Sequence, residues 1–137
     1  MSLRAMIIGT IGAVLVLGLL WPFTGVQGQN SVVFESISAA DLQQIMMHDS
    51  TVFVLDVRTA AEYTGQLGHI AGSTLIPVQE LAARIGELKS DTDQEIYVIC
   101  RSGNRSRTAS TILINSDYKA INILGGMRAW NKQLTTN

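Results

Sequence analysis

The only cysteine of the chain, Cys100, ends the apolar run Ile96-Tyr97-Val98-Ile99 and opens the polar segment Arg101-Ser102-Gly103-Asn104-Arg105-Ser106. The residues after it, Ser106 to Ile114, can form a helix. A thiol between the C-terminal end of a strand and the N-terminal end of a helix sits where backbone N–H groups converge and the helix dipole is positive. That position favours the thiolate, which is the nucleophile. A packed core thiol is the alternative for any isolated cysteine, because free Cys is among the most buried residue types. The polar loop with its two arginines turns the reading toward chemistry.

Each loop residue has a reason to be there. Gly103 permits φ > 0 and lets N–H groups face inward. Ser102 and Asn104 can hydrogen-bond within the loop or to a ligand. Arg101 and Arg105 supply fixed positive charge and forked donors suited to oxyanions. Ser106 is the expected N-cap of the following helix. A thiolate ringed by such donors can attack an electrophilic centre carried on an anion. It can also hold a second, negatively charged sulfur, which needs the same donors. For Arg101 and Arg107 a solvated surface charge is the competing reading.

Spacing separates two cysteine chemistries. Cysteine-dependent phosphatases and related arsenate reductases use Cys, five residues, then Arg, which would require Arg at position 106. This chain has Ser106 there, with arginines at 105 and 107. The shorter loop suits a single sulfur atom better than a tetrahedral phosphate. The segment also offers no convincing general acid for a leaving alkoxide.

The elements that must position this loop alternate strand and helix signals. Val32-Val33-Phe34 is a short strand candidate. Ser38-Ala39-Ala40-Asp41 reads as a capping box opening a helix to about Met47. Thr51 to Val57 is a β-branched run of the kind buried in parallel sheets. Ala60 to Tyr63 is a helical turn, Ser73 to Ile76 a strand closed by Pro77, and Val78 to Leu88 a helix by its apolar spacing. Glu95 to Cys100 is a strand, Ser106 to Asn115 a helix, Ala120 to Leu124 a strand and Gly126 to Leu134 a final helix. This order indicates an α/β fold with a mainly parallel sheet flanked by helices. Ligands bind such sheets beyond the carboxyl ends of their strands, where both Asp56 and Cys100 lie.

Length and composition fit one domain with an apolar segment attached: 137 residues, 47% hydrophobic and 15% charged. A net charge of −1 gives no reason to expect nucleic acid as a partner. With one cysteine there is no internal disulfide, no all-cysteine zinc site and no resolving cysteine on the same chain. His48 and His69 have no ligand-spaced partner, so no metal is expected. Residues 1–28 are expected to be a signal peptide or an N-terminal membrane anchor with its linker, and 32–133 the folded domain. Arg4 precedes the apolar run Ala5 to Leu20, and Trp21-Pro22-Phe23 follows it. Cleavage after Gly28 and retention of residues 5–23 as an apolar transmembrane helix are both open. Either way the domain is expected outside the cytoplasm, periplasmic or secreted, because no Lys or Arg stands between Arg4 and Arg58.

Three segments resemble the rhodanese, or sulfurtransferase, family. The first runs Asp56-Val57-Arg58, Glu62-Tyr63, Gly68-His69-Ile70-Ala71-Gly72-Ser73 and Ile76-Pro77. The second is Cys100-Arg101-Ser102-Gly103-Asn104-Arg105-Ser106, and the third Leu124-Gly125-Gly126-Met127-Arg128-Ala129-Trp130. They occur in order and span Val32 to Gln133; Gly65-Gln66-Leu67 lengthens the link to Gly68 relative to the shortest members. The resemblance implies a rhodanese-like fold with a central five-stranded sheet, Cys100 as the sulfur-carrying nucleophile and residues 101–106 as substrate and persulfide cradle. It implies transfer of a sulfane sulfur from a small anionic donor such as thiosulfate to cyanide, a thiol or a protein sulfur acceptor, with no cofactor. A non-enzymatic sulfur carrier on the same fold is the alternative. The remaining motif residues read as structural. Asp56 orients the loop or caps a turn, Arg58 pairs with Glu62 at i,i+4 spacing, His69 is a hydrogen-bonded packing residue, Gly125-Gly126 make a tight turn and Trp130 packs the last helix.

Overall fold

The computed structural model describes residues 32–88 and 93–135. Residues 1–28, with the expected signal or anchor helix, lie outside the described residues. Among the described residues no helix is long and apolar enough to cross a membrane. The elements in chain order are β1 (Glu35–Ser38), α1 (Ala39–His48), β2 (Phe53–Asp56), α2 (Ala60–Tyr63), β3 (Thr74–Leu75), α3 (Val78–Arg84), β4 (Glu95–Ile99), α4 (Asn104–Ile114), β5 (Lys119–Leu124) and α5 (Gly126–Leu134). A 3-10 turn over Ile85–Glu87 continues α3.

The five strands form one parallel sheet in the order β1-β5-β4-β2-β3. The central strand β4 pairs Leu55 with Val98 on one side and Tyr97 with Ile121 on the other. Side chains alternate across a strand, so each face of the sheet has its own core. Ile96, Val98 and Cys100 pack with Leu55, Leu81, Ala109 and Leu113 beneath α3 and α4. Tyr97 and Ile99 pack with Val54, Ile121, Ile123, Leu42 and Met127 beneath α1 and α5. Helices cover both faces, which is why the inner strands read as continuous apolar runs rather than as an alternation.

Local chemistry explains most of the boundaries. Ser38 caps α1 in the expected capping box: its hydroxyl accepts the Asp41 N–H at 3.1 Å, and the Asp41 carboxylate accepts the Ser38 N–H at 3.1 Å. The first strand, however, is Glu35–Ser38 and not Val32–Phe34. It is an edge strand whose pairing with β5 runs from Glu35 to Ser38, and Val33 is left 86% exposed. Edge position permits polar residues that a buried strand would not. The helix expected to run through Leu88 ends at Arg84, with Gly86 weakening its last turn.

The expected Arg58–Glu62 side-chain pair does not form. Arg58, 1% exposed, turns to the fully buried Asp56. Its Nε and Nη2 donate to the two carboxylate oxygens at 2.9 and 2.7 Å, and the Arg58 backbone N–H adds a third bond at 3.0 Å. The remaining donors reach the carbonyls of Glu62 (3.1 Å) and Gly68 (2.7 Å), tying the 59–68 segment to the end of β2. A buried carboxylate takes the nearest cation that satisfies it fully, and a two-residue separation allows the bidentate geometry. Replacing Arg58 with Met leaves the Asp56 charge buried and unpaired. Arg58→Met is therefore expected to lower unfolding stability by roughly 3–5 kcal/mol in urea titration. A loss below about 1 kcal/mol would show that the Asp56 charge is not held by this pair.

Candidate active site

Cys100 follows β4 directly, and α4 begins at Asn104, so the loop proper is only Arg101-Ser102-Gly103. This corrects the sequence reading. Ser106 is not the N-cap but lies inside the first turn of α4, and Asn104, Arg105 and Ser106 are helical. The cap is Gly103, at φ 100°. A left-handed backbone at this point turns the chain sharply enough to start the helix early, and it is strained for any residue with a side chain. The Gly103 N–H consequently points at the thiol, donating to Cys100 Sγ at 3.1 Å.

Ser106 is fully buried and turns its hydroxyl under the sulfur. Its Oγ lies 3.5 Å from Cys100 Sγ, 3.0 Å from the Gly103 carbonyl oxygen, and donates to Asn122 Oδ1 at 2.7 Å. Asn122, on β5, passes the network on by donating to Ser36 Oγ at 3.2 Å. Burial is the largest influence on the thiol and pushes it up. The Ser106 hydroxyl and the N–H groups of Ser106, Ser102 and Gly103 favour the thiolate and together outweigh burial, so Cys100 lies below the ordinary thiol range. Cys100 is 1% exposed, so a reactant must approach through the mouth of the loop.

The other face of the loop is held by α5. The N–H of Met127 donates to the Cys100 carbonyl at 2.8 Å, and that of Arg128 to the Arg101 carbonyl at 3.1 Å. These are N–H groups of the first turn of α5, which have no partner within their own helix. Gly126 makes the approach possible: a Cβ there would stand 2.3 Å from the Cys100 oxygen and 2.8 Å from the Arg101 carbonyl carbon. Gly125-Gly126 thus forms the expected tight turn and also seats the loop.

The two loop arginines differ. Arg101 is exposed and has no ion-pair partner among the described residues. Arg105 is half-buried and clasps Glu62 of α2, with Nη1 and Nη2 each 2.7 Å from a different carboxylate oxygen. The same carboxylate accepts the Thr59 N–H at 3.2 Å, closing a capping box on α2. The Arg105 guanidinium draws Glu62 down to about 2 against the opposing effect of burial, so Glu62 is charged at any ordinary assay pH. Arg105 is raised in return, first by its bonds to Glu62, with the negative charges of Cys100 and Asp56 adding to that. Ser102 and Asn104 are exposed. Arg107 is also exposed. His69 is exposed; it stacks on Tyr63 with ring centroids 3.9 Å apart and bonds the Tyr63 carbonyl oxygen at 3.1 Å. Among the described residues no three His, Cys, Asp or Glu are grouped to hold a metal.

Sequence reasoning missed Asn122 and the Glu62 clasp. Asn122 carried a visible signal, an amide in the otherwise apolar run Ala120 to Leu124. Glu62 and Arg105 lie far apart in the chain, and spacing gives no hint of their contact.

Two substitutions test this geometry. Ser106→Ala removes the hydroxyl that lies 3.5 Å from the sulfur and lowers the thiol, so the pH midpoint of Cys100 alkylation by iodoacetamide is expected to rise; an unchanged profile would discount the hydroxyl. Gly126→Ala combines a positive φ with a backbone clash and should cost at least about 2 kcal/mol in thermal unfolding. Wild-type stability in that variant would contradict the seating of the loop on α5.

Residues 38–133 match the model of the rhodanese-like domain. A sulfurtransferase of Allochromatium vinosum is 34% identical over 95 residues, covering 69% of this chain and 85% of that protein. YrkF of Bacillus subtilis, named as a candidate sulfur carrier protein, is 36% identical over 103 residues. That match covers 74% of this chain, and the chain spans about half of YrkF, 54% of its length. Among solved structures, a rhodanese-related protein of Thermoplasma volcanium superposes with a TM-score of 0.65 at 34% identity, covering 73% of this chain and 93% of that one. The order of the strands, the loop that follows β4 and the extent of these matches agree: the chain belongs to the rhodanese-like family of sulfurtransferases and sulfur carriers.

Proposed function

We propose that this chain is a sulfurtransferase that carries a sulfane sulfur on Cys100, with residues 101–106 as the cradle for donor and persulfide. The observation that supports it most is the Cys100 sulfur itself. It accepts the Gly103 N–H at 3.1 Å, has the Ser106 hydroxyl at 3.5 Å and is held below the ordinary thiol range. The Cys100 thiolate attacks the outer sulfur of a donor such as thiosulfate. A new S–S bond forms, the donor's S–S bond breaks, and sulfite leaves with the electron pair. The terminal sulfur then stands as an anion among loop N–H donors and the positive charge of Arg101. An acceptor thiolate or cyanide attacks that sulfur and the Cys100 thiolate leaves, giving an organic persulfide or thiocyanate. The protein needs neither oxidant nor cofactor for either step. Its site is proposed to lie outside the cytoplasm, on the basis of the apolar segment 5–23 and the lack of Lys or Arg between Arg4 and Arg58.

A non-enzymatic sulfur carrier is a second reading, favoured by the name of the YrkF relative and by the burial of Cys100. It shares the persulfide but not the turnover.

One measurement addresses both readings. The full chain is reduced, exposed to thiosulfate and weighed intact, beside Cys100→Ser. The expected result is a gain of about one sulfur atom in the wild type alone, removed by cyanide as thiocyanate. Sulfite release continuing past one equivalent when acceptor is present identifies the enzyme, and release stopping at one equivalent identifies the carrier. Full sulfur transfer by Cys100→Ser would overturn both.

A further inference from the structure

A cleft of about 240 Å³ opens beside the loop, lined by Arg58, Ala61, Glu62, Gly65, Gln66, Leu67 and Arg101. It lies between α2 with the Gly65-Gln66-Leu67 link and the residue that follows Cys100. Its charges can be assigned one by one. Arg58 is matched by the buried Asp56. Arg105, the second cation of the loop, is matched by Glu62, which itself faces the cleft. Among the described residues Arg101 has no ion-pair partner and remains the unmatched charge of the cleft. Of the two loop arginines only one is therefore left unmatched among the described residues, and a carboxylate lines the cleft beside it. The clasp is not sealed away: the side chains of Arg105 and Glu62 are 31% and 25% exposed. A small dianion would have to compete with Glu62 for Arg105. A donor carrying one negative charge on sulfur is served by Arg101 and the loop N–H groups, and an uncharged organic tail has Ala61, Gly65 and Leu67 to lie against.

We propose that Glu62 is a specificity-determining residue: by clasping Arg105 it biases the Cys100 loop against dianionic donors such as thiosulfate and toward monoanionic persulfides of small organic thiols. The inference rests on the persulfide reading of Cys100 and names the donor class of that same site. The step balances as before. The Cys100 thiolate attacks the outer sulfur of R–S–S⁻, the donor S–S bond breaks, R–S⁻ leaves with the electron pair, and Cys100 keeps the persulfide.

The test compares two donors on the full chain, thiosulfate and the persulfide of 2-mercaptoethanol, whose tail is uncharged. Glu62→Gln removes the charge and keeps an acceptor for the Thr59 N–H, so the cap on α2 is retained. Glu62→Gln is expected to raise kcat/KM for thiosulfate about tenfold, as for removal of one unit charge close to the path of a dianion in a partly solvated site. The value for the organic persulfide should stay within about threefold, because the tail is neutral and the charge on sulfur is half as large. The thiosulfate rate should also fall more steeply with added salt in the variant, since the loop then carries two unmatched cations. If Glu62→Gln lowers both donors together, or leaves their ratio and the salt dependence unchanged, Glu62 merely braces α2 and the inference is overturned. Salt titration of the wild type is the second arm and needs no variant to fold. A single unmatched arginine predicts a shallow decline for thiosulfate, and a steep one would contradict the clasp. A wild type that gains no sulfur from either donor overturns the persulfide reading itself, an outcome distinct from equal handling of the two donors.

Discussion

The loop that carries Cys100 must turn its N–H groups inward, and a peptide cannot do so without sending its carbonyls somewhere. Here they go to the N-terminal turn of α5, where Met127 and Arg128 donate to the Cys100 and Arg101 oxygens. Both partners gain, because a helix start has N–H groups that its own backbone cannot satisfy. The approach is so close that position 126 has no room for a Cβ. The lowering of the Cys100 thiol, the early start of α4 and the inward Ser106 all depend on this seating, since each requires the loop backbone to hold one path.

The polar groups around the sulfur are divided by burial. Ser106 and Asn122 are buried and bonded to each other, and Asn122 donates on to Ser36, so the sulfur rests on a satisfied network rather than on a lone hydroxyl. A buried hydroxyl without a partner would itself be costly. The charged groups lie further out. Asp56 and Arg58 are enclosed and bidentate, and they act as a brace between β2 and the 59–68 segment. Glu62 and Arg105 are half-open, and Glu62 lines the cleft beside the Cys100 loop. Two ion pairs of similar length thus have different consequences, because one is cut off from solvent and the other is not.

The outline of the fold was legible because it rests on local signals. The Ser38–Asp41 capping box, the β-branched run before Asp56, the turn at Gly125-Gly126 and the apolar spacing of the helices are each written within a few residues. Errors fell where a local signal competes with a distant partner. Val32-Val33-Phe34 has the composition of a strand, yet Glu35–Ser38 pairs with β5 because the edge of the sheet accepts polar side chains. Ser106 has the chemistry of an N-cap, yet Gly103 takes that place because its positive φ bends the chain sooner. Arg58 and Glu62 have the spacing of a helical pair, yet each finds a partner off the helix.

Sequence by itself determined the alternation of strands and helices, the place of Cys100 at a strand's carboxyl end and the polar character of the loop after it. These follow from residue type and from periodicities that the backbone imposes on neighbours. Tertiary structure alone decided which groups face the sulfur and which of the two loop arginines is paired with Glu62. Asn122 reaches Ser106 across 16 positions, and Glu62 reaches Arg105 across 43. Contacts over such separations exist only after the sheet has brought β2, β4 and β5 side by side. The electrostatics of the site belongs to that assembly, because a charge acts through distance and burial and neither is written in the order of residues.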